Sequence, residues 1–285
     1  MRFSEDRLAT LECGADVART IHIWEPATPA PRAIVLALHG GMAHAGDYVT
    51  PARYFRDHGI ATISYDMCGH DQAKRVDIPG FEIFLDESTL LLQWIKRAYP
   101  GVPLFVMGHS MGALIATHLG LHRWRDDAAI KGYILSSPYY VNAIKVAPLL
   151  LALSGVLAAL VPRMKVPLAS QTQLLTHDAA ITARHYADER DHTRATEVTV
   201  RFGHALTRAQ AGLAARMPAW RHHLFAVVAG DDKLADSEAG SAMLRSIAPH
   251  LLEYHHYPHN YHENFNELNR ERIFSDALRW MEARL

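Results

Sequence analysis

The stretch FVMGHSMGALIATHLG, residues 105–120, constrains this chain more than any other. A short apolar run stops at Gly108. His109, Ser110, Met111 and Gly112 follow, and an amphipathic segment begins at once. The run has the length and branched composition of a buried strand, and the segment has helical spacing. A strand that turns directly into a helix leaves almost no room for side chains beside the turn, so glycines flank the residue at its apex. That is the G-x-S-x-G arrangement, which lifts a serine hydroxyl above the carboxyl edge of a parallel sheet. It also puts Ser110 at a helix N-terminus, where unpaired N–H groups favour developing negative charge. The competing reading is a chance Gly-x-Ser-x-Gly in a loop; strand before and helix after argue against it.

Similar alternation runs through much of the chain. AIVLAL (33–38), IATISY (60–65), PLFVMG (103–108), IKGYILSS (130–137) and HLFAVVAG (223–230) read as buried strands, and LLEYHHY (251–257) as the last. Residues 49–58, 82–98 and 111–122 carry helical spacing. Such alternation implies an α/β fold, a mostly parallel sheet covered by helices on both faces. RLATLEC-GAD-VARTIHIW at the start reads as two antiparallel strands joined by a tight turn. From Pro138 to about Pro218 no convincing strand appears. We therefore expect a core of 1–137 and 219–285, with 138–218 inserted as a helical cap.

Composition narrows the function. Hydrophobic residues are 49% and charged residues 21%, with a net charge of −1. Such a chain can bury a sizeable core and has no basic field to draw nucleic acid. Cys13 and Cys68 form no disulfide framework and no zinc pattern, so a reducing compartment is expected. MRFSEDRLAT lacks a signal-peptide run. The expected location is cytoplasmic.

A serine hydroxyl needs a base, and the base needs a carboxylate to orient it. In a strand–elbow–helix fold these follow in the order Ser, Asp or Glu, His. Asp231, Asp232 and Asp236 all lie just past the 223–230 strand. After the last strand comes PHNYHENFNE. His255 and His256 belong to the strand and His259 precedes the tight part of the loop, which leaves His262. Asp232 and His262 are 30 residues apart, room for one helix, one strand and two loops. His39-Gly40-Gly41 ends another strand. The Gly41 N–H with that of Met111 makes a candidate oxyanion hole, and His39 is expected to hold that loop structurally. Cys68 follows a strand without a helix N-terminus behind it and is not read as a nucleophile. His177, His185, His192 and His204 are scattered in the cap and read as surface residues. No histidine pair has metal spacing with a carboxylate; no metal and no cofactor are expected.

HGG, GHSMGALIA, GDDKLAD and YPHNYHENFNE together resemble the monoacylglycerol lipase and lysophospholipase branch of the α/β-hydrolase family, over nearly the whole chain. The resemblance implies an α/β-hydrolase fold with a cap that lids an acyl-binding tunnel, and it aligns Asp232 with the family's aspartate. It implies a serine hydrolase acting on esters of single-chain lipids through Ser110, Asp232 and His262. The chain departs from the branch at Met42, where a glycine is usual, and at Asp71 and Gln72, where a small pair is usual. Residues 146–161, VAPLLLALSGVLAALV, are apolar nearly all round. A membrane-crossing helix needs roughly 20 such residues. A buried helix competes with a lid that receives acyl chains through Leu149, Leu153 and Leu157, or makes transient contact with a membrane or micelle. Rival functions are another acyl-transfer enzyme with the same triad (thioesterase, peptidase or acyltransferase) and a non-catalytic ligand-binding protein.

Overall fold

The computed structural model describes residues 2–27, 30–70, 75–144, 148–168 and 171–285, for 75 and 148–152 the backbone alone. Its centre is an eight-stranded sheet. In chain order its strands are β1 (Arg7–Gly14), β2 (Val17–Trp24), β3 (Ala33–Leu38), β4 (Ile60–Tyr65), β6 (Leu104–His109), β7 (Ile130–Ser136), β10 (Leu224–Ala229) and β11 (Leu252–Tyr257). The spatial order is β1-β2-β4-β3-β6-β7-β10-β11. β1 and β2 form the expected antiparallel hairpin, and β2 runs antiparallel to β4. All other pairs are parallel.

Because side chains alternate across a strand, the central strands feed two cores. Ile34, Leu36 and Leu38 of β3 face one core with Leu104 and Val106 of β6. That core is completed by α2 (Glu82–Ala98) and α3 (Met111–Leu121). Ala33, Val35 and Ala37 face the other with Phe105 and Met107, against α1 (Val49–Asp57) and α9 (Arg270–Glu282). Every residue of β3, β4 and β10 is buried, as a strand covered on both faces requires.

Between β7 and β10 lie α4 (Pro148–Leu160), α5 (Ala179–Arg190), α6 (Val200–Gln210) and α7 (Leu213–Arg216). Asp178 caps α5 and Thr199 caps α6 through side-chain oxygens, the usual service of those residues to unpaired N–H groups. The expectation of a cap without strands is corrected here. β8 (Lys165–Pro167) and β9 (Glu197–Thr199) pair antiparallel, and β9 also pairs parallel with β5 (Arg75–Val76) from the β4–α2 connection. Strands of two and three residues are too short to show a period, which is why they leave no mark in the sequence. After β10, α8 (Ser237–Arg245) leads to β11.

Candidate active site

The β6–α3 junction shows why two glycines stand there. A Cβ on Gly112 would lie 1.8 Å from the Leu38 carbonyl oxygen, and one on Gly108 would lie 2.6 Å from the Gly112 oxygen. No side chain fits either place. Ser110 between them has φ 54° and ψ −117°, a conformation rarely held by a residue with a Cβ. Its N–H donates to Ser136 at the end of β7 (3.0 Å), and its carbonyl accepts from Ala113, Leu114 and Tyr139. These contacts over-determine the strained residue and hold its hydroxyl at the head of α3.

His262 sits in the loop after β11 and is 2% exposed. Its Nδ1 lies 2.7 Å from Asp232 Oδ2. The other Asp232 oxygen accepts from the Leu234 and Ala235 N–H groups, both at 2.9 Å. A carboxylate can only accept, so Nδ1 carries the proton and Nε2 keeps its lone pair. Burial alone would lower the His262 pKa, but the charge and hydrogen bond of Asp232, with the charge of Glu263, raise it above the ordinary 6.5. Burial would likewise raise the Asp232 carboxyl, yet His262 and the two backbone donors hold it below its usual value. The rival carboxylates have other work. Asp236 caps α8 by accepting from Ala239, and Asp231 pairs with Lys233.

The His262 ring lies 4.7 Å from that of His109, the residue before Ser110. Burial first, then the charge on His262, push His109 down to about 4, so it stands beside the site as a neutral ring. Among the described residues no hydrogen bond joins the Ser110 hydroxyl to His262; in a resting site that contact is often long and tightens with substrate. Gly40 and Gly41 come close to the elbow from the end of β3. A Cβ on Gly40 would be 3.5 Å from Ser110 Cβ, and one on Gly41 would be 3.6 Å from Met111 Sδ. The first residue of α3, Met111, has no carbonyl a turn earlier to bond, so its N–H is available for an oxyanion. His39 accepts the Met67 N–H at Nε2 (3.1 Å), and its Nδ1 reaches the Gly40 carbonyl (2.8 Å). The ring thus ties the β3 and β4 loops together. Met42 holds φ +63°, the left-handed region that explains a glycine as the usual residue there.

The cap residues depart from expectation. In α4, Leu149 belongs to the part whose side chains lie outside the described residues, and Asp71 and Gln72 lie wholly outside them. Leu153 is 43% exposed, Val156 54% and Leu160 75%, an outward apolar stripe rather than a closed tunnel wall. Leu157 is half-buried, and Ser154 and Gly155 face His204 of α6. No helix among the described residues is long and apolar enough to cross a membrane. The cap histidines are not all at the surface either. His177 and His192 are exposed, His204 is half-buried, and His185 is fully buried.

His185 belongs to a cluster of charge that the sequence reading missed. It comprises Asp47 and His44 from the loop after β3, His185 and Asp188 from α5, Arg194 beyond α5, and Glu263 next to His262. Ligand atoms of His44, Asp47 and Asp188 lie within 4.8 Å of one another. Arginines already compensate both carboxylates, Arg194 and Arg184 on Asp47 and Arg2 on Asp188, so the donor set fits ion pairing better than a metal. The only sequence signal was the YHENFNE run itself, with Glu263 directly after the histidine.

The family model described as "Serine aminopeptidase, S33" matches residues 29–269. A phospholipase of Bacillus subtilis, YtpA, is 28% identical over 90% of this chain and 97% of its own length. A monoacylglycerol lipase of Mycolicibacterium smegmatis is 29% identical over 92% of each chain. Among solved structures, a soluble variant of the monoglyceride lipase of Saccharomyces cerevisiae superposes with a TM-score of 0.81 at 19% identity, covering 98% of this chain and 95% of that one. The monoacylglycerol lipase of Paleococcus ferrophilus gives 0.80 at 18% identity, over 94% and 99%. At such identities these structures speak for the fold alone, which is that of the α/β-hydrolases.

Proposed function

This chain belongs to the serine aminopeptidase S33 family of hydrolases, and on that premise we propose that it cleaves carboxylic esters of single-chain lipids, monoacylglycerols or lysophospholipids. The chain is a carboxylic ester hydrolase. The family's description names a peptidase, but two relatives matched over nine-tenths of the chain are a phospholipase and a monoacylglycerol lipase. The observation that carries the reading is the strained Ser110 at the head of α3, with the Asp232–His262 pair reaching the same sheet edge.

In this reading Ser110 Oγ attacks the ester carbonyl carbon, and its proton passes to His262 Nε2. Asp232 keeps the imidazole in the required tautomer and stabilises the imidazolium. The carbonyl oxygen gains charge as the tetrahedral centre forms, and the N–H groups of Gly41 and Met111 receive it. Each such donor lowers the barrier by about 3–4 kcal/mol. The C–O bond to the alcohol breaks as His262 returns the proton, which leaves an acyl-enzyme. Water deprotonated by the same imidazole then releases the acid. No step calls for a cofactor.

We read 138–218 as the cap and 1–137 with 219–285 as the core. The exposed stripe Leu153, Val156 and Leu160 supports transient contact with a membrane or micelle, with the acyl chain entering beside the half-buried Leu157. Two cysteines without a disulfide suit a cytoplasmic enzyme, peripheral at membranes. The test is hydrolysis across monoacylglycerols, lysophospholipids, acyl thioesters and aminoacyl amides of matched length. The proposal expects the single-chain esters to lead in kcat/KM; a lead for amides or thioesters would replace it with a peptidase or thioesterase.

A further inference from the structure

Glu263 follows His262 directly in the chain, and its carboxylate is buried with it, only 5% exposed. Among the described residues, three polar side chains meet that carboxylate. His185 Nε2 lies 2.8 Å from Oε2, Asn266 Nδ2 donates to the same oxygen at 2.8 Å, and Arg194 stands 3.8 Å from Oε1. The Glu263 N–H donates to Leu175 of the cap at 2.8 Å. His185 is itself wholly buried, and its Nδ1 is 3.0 Å from Arg194 Nη2. A guanidinium only donates, so Nδ1 accepts and Nε2 carries the hydrogen that Glu263 receives. Asp47 holds Arg194 in turn at 2.5 Å, and Arg184 and His44 also face Asp47. His44 and Arg2 face Asp188 on the same helix as His185. A cavity of about 20 Å³ separates this cluster from the Gly40 backbone and His109.

We propose that His185, carried by the cap and oriented by Arg194, is a positioning residue for His262: by its hydrogen bond to Glu263 it fixes the loop that presents the catalytic imidazole. The inference rests on His262 being the general base. A buried carboxylate keeps its charge only where donors meet it, and the donors that reach this one come from the cap and from Asn266 on its own loop. Where the cap sits therefore decides where the His262 loop sits. Burial would neutralise Glu263, but His185 and then Arg194 hold its carboxyl well below the usual range. The charge so maintained adds to that of Asp232 in raising the basicity of His262. His109 is the other ring against His262 and is neutral.

The experiment compares His185→Phe, His185→Gln, Glu263→Gln, Glu263→Ala and the double variant His185→Phe/Glu263→Ala. p-Nitrophenyl acetate, which makes little use of an acyl site, serves as substrate, and proton NMR follows the His262 titration in the resting protein. Misplacing a catalytic group by a fraction of an ångström should lower kcat of His185→Phe by about tenfold or more with KM little changed. His185→Gln, which can still donate to Glu263, should recover most of that loss. Glu263→Gln removes the negative charge, so the His262 pKa and the acid limb of kcat/KM should both move to lower pH. In a Glu263→Ala background, which removes the acceptor, the His185→Phe change should cost little more, since two residues acting through one contact are not additive. A folded His185→Phe variant with wild-type kcat would overturn the proposal, as would full additivity or a loss confined to KM. Should His185→Phe fail to fold, the Glu263→Gln titration decides alone, and an unmoved His262 pKa overturns it. Turnover that survives Ser110→Ala would instead sink the functional reading, while the NMR titration would still report on His185 and Glu263.

Discussion

Between β3 and α3 a carbonyl and a helix meet with no room for a methyl group at Gly112, and the surrounding strands are apolar on both faces. Between the cap and the rest of the molecule many of the links are charged. Arg194 and Arg184 reach Asp47, Arg2 and His44 reach Asp188, Arg201 and Arg163 reach Asp77, and Arg270 reaches Asp178. Close packing admits one arrangement and resists displacement, because interiors are as dense as organic crystals. Charge pairs are directional but longer-ranged, and they tolerate small shifts of one body against another. Ser110, the proposed nucleophile, is thus built into the close-packed region. The imidazole, on a loop packed against both regions, is held partly by each.

The contrast implies a graded set of effects. The largest is on catalysis. Asp232→Asn should lower kcat by about four orders of magnitude, because the imidazole loses its tautomer. Asp231→Asn and Asp236→Asn should stay near wild type, since one is an exposed partner of Lys233 and an asparagine caps a helix as well as an aspartate does. Equal losses for all three would dissolve the distinction between a fixed site and its surroundings. Next comes Gly112→Ala. Its methyl would meet the Leu38 carbonyl at 1.8 Å, and the cost should exceed about 4 kcal/mol, most of the stability of a marginal domain. A soluble, active Gly112→Ala protein would show that the sheet edge yields as readily as the cap.

A smaller effect concerns pH. His262 must be neutral to act as base, and its pKa is raised from 6.5 by Asp232 and Glu263. Activity should therefore fall as pH drops through a midpoint above 6.5, measured as kcat/KM against pH; a midpoint below that value would mean burial outweighs the two carboxylates. The smallest effect on stability belongs to the cap surface. Leu153→Gln with Leu157→Gln should change Tm by only a few degrees, because one side chain is exposed and the other half-buried. Through its half-buried member Leu157, the same pair should flatten the rise of kcat/KM with acyl length, where each buried methylene otherwise contributes about 0.8 kcal/mol. A uniform loss at every length would make these residues supports of the fold alone.

The two regions also differ in how far they can be read from sequence. Ser110 was legible because its neighbours obey steric rules that act over a few residues. Asp232 and His262 followed from strand ends and chain order, with the family's aspartate deciding among three candidates. The buried charge cluster was not legible. Asp47, the His185–Arg194 stretch and Glu263 come from distant parts of the chain, and each residue alone has the look of a solvated residue on a loop or a polar helix. In α5, AAITARHYADER, nothing marks His185 as the buried member. The short strands β5, β8 and β9 were lost for want of length. Met42 was legible as a departure at a glycine position, and its positive φ shows what that departure costs the backbone.

The most direct test is to react the protein with a fluorophosphonate, digest it and find the modified residue by mass spectrometry, alongside Ser110→Ala. The account predicts one phosphonyl group on Ser110, loss of ester hydrolysis in step with labelling, and neither label nor turnover in the Ala variant. Ester hydrolysis that continues with Ser110 blocked, or a label on another residue that tracks the loss of activity, would contradict it.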